Sequence, residues 1–206
     1  MDRSALEQRL ATCRSFEEPT PAFEQYATPA ALAAHVIHLA DLQGDLGRPV
    51  VDLGCGPGIL ALGAAISGAA GPIVGVERDP TALRVAQGNA RALEVSGRVE
   101  WLRADARRLP VSLPEPATVL SNPPFGAVRG QTGADRAFLK TAARLGGVSY
   151  TFHNAGSEAF LDAVTSDWGG ALTHLYEGEF DVPRQFPWHE EGRASLSVLI
   201  ARIDWE

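Results

Sequence analysis

The run Val50-Val51-Asp52-Leu53-Gly54-Cys55-Gly56-Pro57-Gly58-Ile59-Leu60-Ala61-Leu62 constrains this chain more than any other stretch. A β-branched apolar segment bounded by glycine reads as a buried strand. The apolar run behind it reads as a helix opened by Pro57 or Gly58. Glycines at 54, 56 and 58 let the backbone turn sharply and let a ligand approach its N–H groups. The helix N-terminus behind them favours anionic ligand groups. A strand, a tight glycine turn and a helix form the opening unit of an α/β fold, and the chain repeats that alternation. The pattern predicts strands over 49–53, 72–77, 98–102, 116–121 and 147–152, with two more near 171–176 and 194–203. Between them it predicts helices over 57–67, 79–93, 134–145 and 157–167, with Asp79 as cap and Pro80 as first residue of the second. Such alternation implies an α/β, doubly wound, mostly parallel sheet of seven strands.

Ahead of this core, Ser4 to Glu7 forms a capping-box pattern for a short helix with Leu6, Leu10 and Cys13 on one side. Residues 16–28 are proline-rich and read as extended. Thr28 then reads as the cap of a helix beginning at Pro29, with Leu32, Val36, Leu39 and Ala40 inward. At 206 residues the expectation is one domain, 1–206, in which 1–28 extends a sheet core of 29–206. Cys13 and Cys55 are the only cysteines, too few for a zinc site by themselves, and read as reduced thiols of a cytoplasmic protein. No metal site is expected. Residues 53–76 carry no charged side chain, yet seven glycines and two prolines break them into turn, helix, turn and strand, so no membrane span is expected.

Net charge is −7, with 18 basic residues of which Lys140 is the single lysine. That balance does not exclude a nucleic-acid partner, because binding needs local cationic surface rather than global charge. Arg103, Arg107 and Arg108 beside the third strand, and Arg129 and Arg136 farther on, are the clusters to examine, although a solvated surface accounts for any one of them.

The chemistry collects at strand ends. Glu77 closes the second strand, 25 residues after Asp52, about where an acid holds a nucleotide's ribose hydroxyls. Asp105 follows the third strand. After the fourth comes Asn122-Pro123-Pro124-Phe125, in which an amide, a proline carbonyl and an aromatic face sit together on a stiff backbone. That set suits a planar group carrying an exocyclic NH2: the Asn122 oxygen and Pro123 carbonyl accept its hydrogens, and Phe125 stacks on its face. Asn-Pro is also a common turn. In open α/β sheets, ligands bind at the edge formed by these strand ends.

These residues resemble the S-adenosylmethionine-dependent methyltransferases of Rossmann-like fold, and among them the amino-group methylases. Phe23-Glu24-Gln25-Tyr26-Ala27-Thr28-Pro29, the loop from Asp52 to Gly58, Asn122 to Gly126, Ala137-Phe138-Leu139-Lys140-Thr141-Ala142 and Tyr150-Thr151-Phe152-His153 follow one another as in one family. The chain is similar to the methyltransferase-like protein 5 family of ribosomal RNA adenine-N6 methyltransferases, from Phe16 to about Arg202. The resemblance implies S-adenosylmethionine as cofactor, small-subunit rRNA as substrate and an antiparallel last strand. It places the cofactor against Gln25, Thr28, Asp52, Gly54, Gly56, Pro57, Ile59, Glu77, Asp105 and Ala106. Within that set it assigns the ribose to Glu77 and the cofactor's adenine amino group to Asp105. It also implies a small zinc-binding activator protein on the edge strand 98–103, with Trp101 either anchoring that partner or packed beneath a helix.

His153 is open between a place near the substrate and a core hydrogen bond. His35 and His38 lack metal-ligand neighbours, and Phe186, Trp188 and His189 beside Arg184 suit either base stacking or burial. Glu190-Glu191 stands where relatives carry lysines, and Glu77 where aspartate is commoner. Two other readings remain open: the same chemistry on DNA adenine, guanine N2 or a protein glutamine, and a non-catalytic, cofactor-binding ribosome assembly factor.

Overall fold

The computed structural model describes residues 1–17, 19, 25, 27–124, 133–183 and 193–205, and the side chains of 179–183 and 193–196 are outside that description. Phe23, Glu24, Tyr26, Phe125, Gly126, Arg129, Arg184, Phe186, Trp188, His189, Glu190 and Glu191, all invoked above, lie outside the described residues.

Seven strands form one sheet: β1 (Val50–Leu53), β2 (Ile73–Glu77), β3 (Val99–Arg103), β4 (Ala117–Ser121), β5 (Gly147–Asn154), β6 (Ala171–Pro183) and β7 (Arg193–Asp204). Their order is β3-β2-β1-β4-β5-β7-β6. β1 to β5 are mutually parallel, and β7 runs antiparallel to both β5 and β6. Every residue of β1 and β4 is buried, because helices cover both faces of the sheet centre, which is why these strands read as nearly continuous apolar runs. The doubly wound expectation holds, with the antiparallel strand the resemblance implied.

Helices α1 (Arg3–Leu10), α2 (Ala30–Leu42) and α3 (Ile59–Ile66) share one apolar core with the end of α4 (Pro80–Ala92), packed on Val50, Leu120, Tyr150 and Phe152. α5 (Ala134–Leu145) and α6 (Glu158–Asp167) cover the opposite face. Among the described residues, no helix is long and apolar enough to cross a membrane.

Local chemistry sets most boundaries. Asp79 caps α4 by accepting from Thr81 N at 2.8 Å, with Pro80 as first residue. Two expected caps are displaced. Asp2, not Ser4, caps α1, its Oδ1 accepting from Ala5 N at 2.9 Å. Pro29 occupies the cap position of α2 without a side-chain bond, since the Thr28 hydroxyl is engaged elsewhere. β6 runs seven residues past the expected Tyr176, through Gly178 to Pro183. As an edge strand paired only with β7, it tolerates both.

The outer edge at β3 decides between the two placements left open for Trp101. Trp101 does not stand bare: a Cβ added to Gly75 would lie 2.5 Å from its ring, and one added to Gly58 would lie 2.6 Å away. The indole fills the hollow left by those two glycines. Glu100, Leu102 and Arg103 are the exposed side chains of that strand.

At the opposite end of the sheet, Asp45 Oδ2 accepts from Tyr150 Oη at 2.6 Å and from Arg202 Nε at 2.9 Å. Burial and the neighbouring carboxylate push the Tyr150 phenol well above its ordinary range. The side chains of Asp45 and Arg202 are 5 % and 12 % exposed, so removing one partner strands the other away from water. Arg202→Met is expected to lower stability by about 3–5 kcal/mol, read from urea unfolding. A loss under about 1 kcal/mol places this pair among surface ion pairs of little consequence.

Candidate functional site

The strand order reverses at β1, which has β2 on one side and β4 on the other. Past the ends of β1 and β4 lies a crevice of two adjoining hollows. The first is lined by Cys13, Arg14, Ala27, Thr28, Asp52, Gly54, Cys55, Pro57, Ile59 and Asn122. The second is lined by Phe16, Gln25, Gly54, Glu77, Arg78, Asp105, Ala106, Arg107, Asn122, Pro124 and Phe138. Gly54 and Asn122 belong to both. A ligand bound across the crevice is therefore in contact with the glycine loop on one side and the Asn122 tetrapeptide on the other.

Two carboxylates hold the loop between β1 and α3. Asp52 Oδ2 accepts from Ala61 N in the first turn of α3 at 2.9 Å, spanning the whole turn. Glu77 Oε2 accepts from Gly56 N at 3.0 Å, while its Oε1 accepts from Arg78 N and Asp79 N at 2.7 and 2.9 Å. Glu77 is the longer of the two acids common at this place, and the extra carbon lets it reach back to the loop. Gly56 has φ +50° and could not accept a side chain, because its Cβ would meet the Phe16 ring at 2.7 Å. α3 begins at Ile59 rather than at Pro57, since Gly58 takes the left-handed conformation at φ +90°.

Electrostatics in the crevice follow from burial. Asp52 is 1 % exposed and its Oδ1 has no hydrogen-bond partner. Burial pushes its carboxyl up to about 7, with Glu77 adding to the rise and the Ala61 N–H opposing it. Glu77 is also raised, by burial first, against three backbone N–H donors. Asp105 behaves oppositely: both its oxygens take the Arg107 guanidinium, with Arg107 Nη2 2.7 Å from Oδ2, which holds the carboxyl below its usual range. Its lone pairs are thus already shared before any cofactor amino group arrives.

Asn122 is the second unsatisfied group. Its Nδ2 donates to Thr28 Oγ1 at 3.0 Å, and its Oδ1 is buried without a partner. The bond fixes the amide and leaves the oxygen able to accept. Pro123 is buried and Pro124 half-buried beside it. Gln25 donates to Asp79 Oδ2 at 2.8 Å, which ties the N-terminal segment to the cap of α4. Of the expected residues, Gly56 and Pro123 line neither hollow, and Phe125 lies outside the described residues.

Sequence reasoning missed three contributors. Phe16 and Phe138 wall the glycine loop, the latter where a Cβ on Gly54 would stand 2.9 Å from its ring. Asn89 is 2 % exposed and its Nδ2 donates to the carbonyls of Pro57 and Arg14, both at 3.0 Å. A buried asparagine inside an otherwise apolar helix face was the available signal.

Of the other candidates, Arg136 pairs with Asp167 at 3.6 Å and lies over Trp168, whereas Arg103 and Arg108 are exposed. His35 and His38 are half-buried on α2, and the described residues hold no cluster of three or more metal-ligating side chains. Cys13 and Cys55 are free thiols.

The donor set suits an S-adenosylated amino acid. Asp52 and Asn122 line the hollow beside the glycine turn, and each keeps a buried oxygen without a partner that can accept from cationic and N–H groups. The methyltransferase small domain family matches residues 33–147. The rRNA N(6)-adenosine-methyltransferase Mettl5 of Drosophila melanogaster is 32% identical, over 97% of this chain and 94% of the relative. The METTL5 protein of Danio rerio, which bears the same description, is 31% identical over 98% and 99%. The crystal structure of a candidate RNA methyltransferase from Pyrococcus horikoshii superposes with a TM-score of 0.87 at 30% identity, covering 99% of this chain and 98% of the other. With strand order, glycine loop and Asn122 tetrapeptide in agreement, the chain belongs to the S-adenosylmethionine-dependent methyltransferases of the small domain family and, within them, to the methyltransferase-like protein 5 family.

Proposed function

We propose that this protein methylates the N6 amino group of an adenosine in RNA, with small-subunit ribosomal RNA as the substrate and the cytoplasm as its place of work. The observation that carries the reading is the Asn122 side chain, which lines both hollows, is anchored through Nδ2 and keeps a buried Oδ1 without a partner. An oxygen so placed accepts from an amino hydrogen and rejects a ring nitrogen or carbonyl.

S-adenosylmethionine bound in the crevice supplies an electrophilic methyl group. Glu77, Asp105 and Ala106 line the hollow suited to its nucleoside half. Gln25 lines that hollow as well, and Gly56 N donates to Glu77 Oε2. Asp52, with Thr28, Pro57 and Ile59, lines the other hollow and would meet the cationic amino-acid half. The chain's own task is then to position the amine. Hydrogen bonds from N6 to Asn122 Oδ1 and the Pro123 carbonyl draw the nitrogen toward a tetrahedral shape and aim its lone pair at the methyl. Phe125 would hold the base by stacking. The proton becomes acidic only as the N–C bond forms, so no strong base is required at Asn122. Exposed Arg103 and Arg108 flank the second hollow and can meet RNA phosphates despite the net charge of −7.

The test is mass spectrometry of nucleosides after incubation with labelled cofactor and ribosomal RNA. Label in N6-methyladenosine is expected, and label in guanosine, in protein or nowhere contradicts the reading. Asn122→Ala should slow transfer by roughly 10²–10³ with cofactor affinity little changed. Turnover close to wild type removes Asn122 from the reaction.

The same reading includes a small zinc-binding activator adding to the β3 edge. β3 is the outermost strand on its side, an open row of backbone groups on which a further strand can pair. Leu102, 36% exposed, replaces Trp101 as the apolar contact. Affinity purification from the native host should recover a small zinc protein with the wild type and lose it with Leu102→Asp. A fully active wild-type monomer, recovered alone, contradicts this part of the proposal.

A further inference from the structure

Strand β5 carries Ser149, Thr151 and His153 at alternate positions, each at most 3% exposed. Their partners on β7 are Ile203, Ala201 and Leu199, all in the core beneath α5 and α6, so the three share that face. Two of them are satisfied internally. Ser149 Oγ accepts from Trp205 Nε1 at 3.0 Å, and Thr151 Oγ1 accepts from Ser121 Oγ at 3.2 Å. His153 differs: its Nε2 is buried with no hydrogen-bond partner. That nitrogen makes no core hydrogen bond.

The place of His153 in the sheet bears on the other reading, nearness to the substrate. β4 and β5 are parallel with Ser121 opposite Thr151. β4 ends at that pair and leads into Asn122, while β5 runs on through His153 to Asn154. His153 therefore stands at the end of β5 on the same side of the sheet as the end of β4 that leads into Asn122, and it lines neither hollow in the free protein. A leucine would fill a buried position here without the cost of desolvating a ring nitrogen. Burial pushes the imidazole down to about 4, so it is neutral, with one N–H and one lone pair.

Adenine offers two hydrogens on N6 and bare acceptor nitrogens on both sides of it. The Asn122 oxygen answers the hydrogens; a donor is needed to answer a ring nitrogen. We propose that His153 is a specificity-determining contact for the acceptor base, its Nε2 donating a hydrogen bond to a ring nitrogen flanking the amino group. This rests on the reading of the site as an adenine-N6 site. A donor aimed at N1 would also reject guanine, which carries a hydrogen there.

The experiment pairs protein variants with RNA in which the target adenosine is replaced by 1-deaza- or 7-deazaadenosine. The full-length protein is used throughout, and unmodified RNA serves as reference. For wild type, one of the two analogues should lower kcat/KM by about tenfold or more, as losing a hydrogen bond in a dry site does. His153→Leu should lower kcat/KM on unmodified RNA by a similar factor and show no further loss on that analogue. Cofactor affinity should be unchanged and thermal stability equal or higher, since an unsatisfied polar group has been removed. His153→Asn, which keeps a donor, should recover part of the activity and of the analogue sensitivity. Equal analogue penalties in wild type and His153→Leu overturn the proposal, as does a His153→Leu variant that is fully active. If His153→Leu does not fold, equal penalties in wild type and His153→Asn decide the matter in the same way. Failure of wild type to methylate unmodified adenosine is a distinct result: it overturns the adenine-N6 reading and this inference with it.

Discussion

Two buried carboxylates from neighbouring strands hold the glycine loop, and the site depends on them. Asp52 reaches across the turn to Ala61 N, and Glu77 reaches sideways to Gly56 N. Neither acid is close to a buried cation among the described residues. Each is stabilised only by backbone N–H groups and, for Asp52, by the N-terminus of α3. The two repel one another, and burial pushes both toward protonation. A ligand that brings a positive charge relieves that repulsion. An anionic ligand group at Asp52 would aggravate it.

Among the described residues, the N-terminal segment is tied to the crevice at three points. Asn89 binds the Arg14 carbonyl, Gln25 binds Asp79 and Thr28 binds Asn122. Phe16 closes over Gly56 between the first and second of these. The segment before α2 therefore lines both hollows as well as covering α3. Thr28 in particular links the first hollow to the Asn122 amide. Loss of that hydroxyl would free Asn122 to rotate, and its oxygen would no longer be aimed by the protein alone.

Much of this was legible in the chain because the signals are local. The Asp79-Pro80 cap, the glycine turn and the apolar strands involve neighbours in sequence, and the structure keeps them. Thr28 was misread for a related reason: Thr-Pro is what a helix start looks like, whereas its true partner, Asn122, lies 94 residues away. Trp101 was ambiguous because its hollow is made by two absent side chains, Gly58 and Gly75, on other elements. Asp105 and Arg107 are two residues apart, so their ion pair could have been drawn from sequence. Asn89 announced itself only as a polar break in an apolar face, with nothing to say that it clamps Pro57.

The central claim is that the crevice holds buried acceptors which the protein leaves unsatisfied for its ligands, Asp52 foremost. Its carboxyl, ordinarily at 3.8, is pushed up to about 7 in the free protein. Because the folded value is the higher one, the stabilising contribution is complete below the ordinary value and is lost as pH rises through about 7. A bound cation pulls the same carboxyl down, so binding below that pH must expel a proton. Calorimetry of S-adenosylmethionine binding from about pH 5.5 to about pH 8 should show affinity rising about tenfold or more, with proton release fading toward the upper end. Asp52→Asn should flatten the rise. Affinity independent of pH over that range in the wild type, with no proton released, would contradict the account.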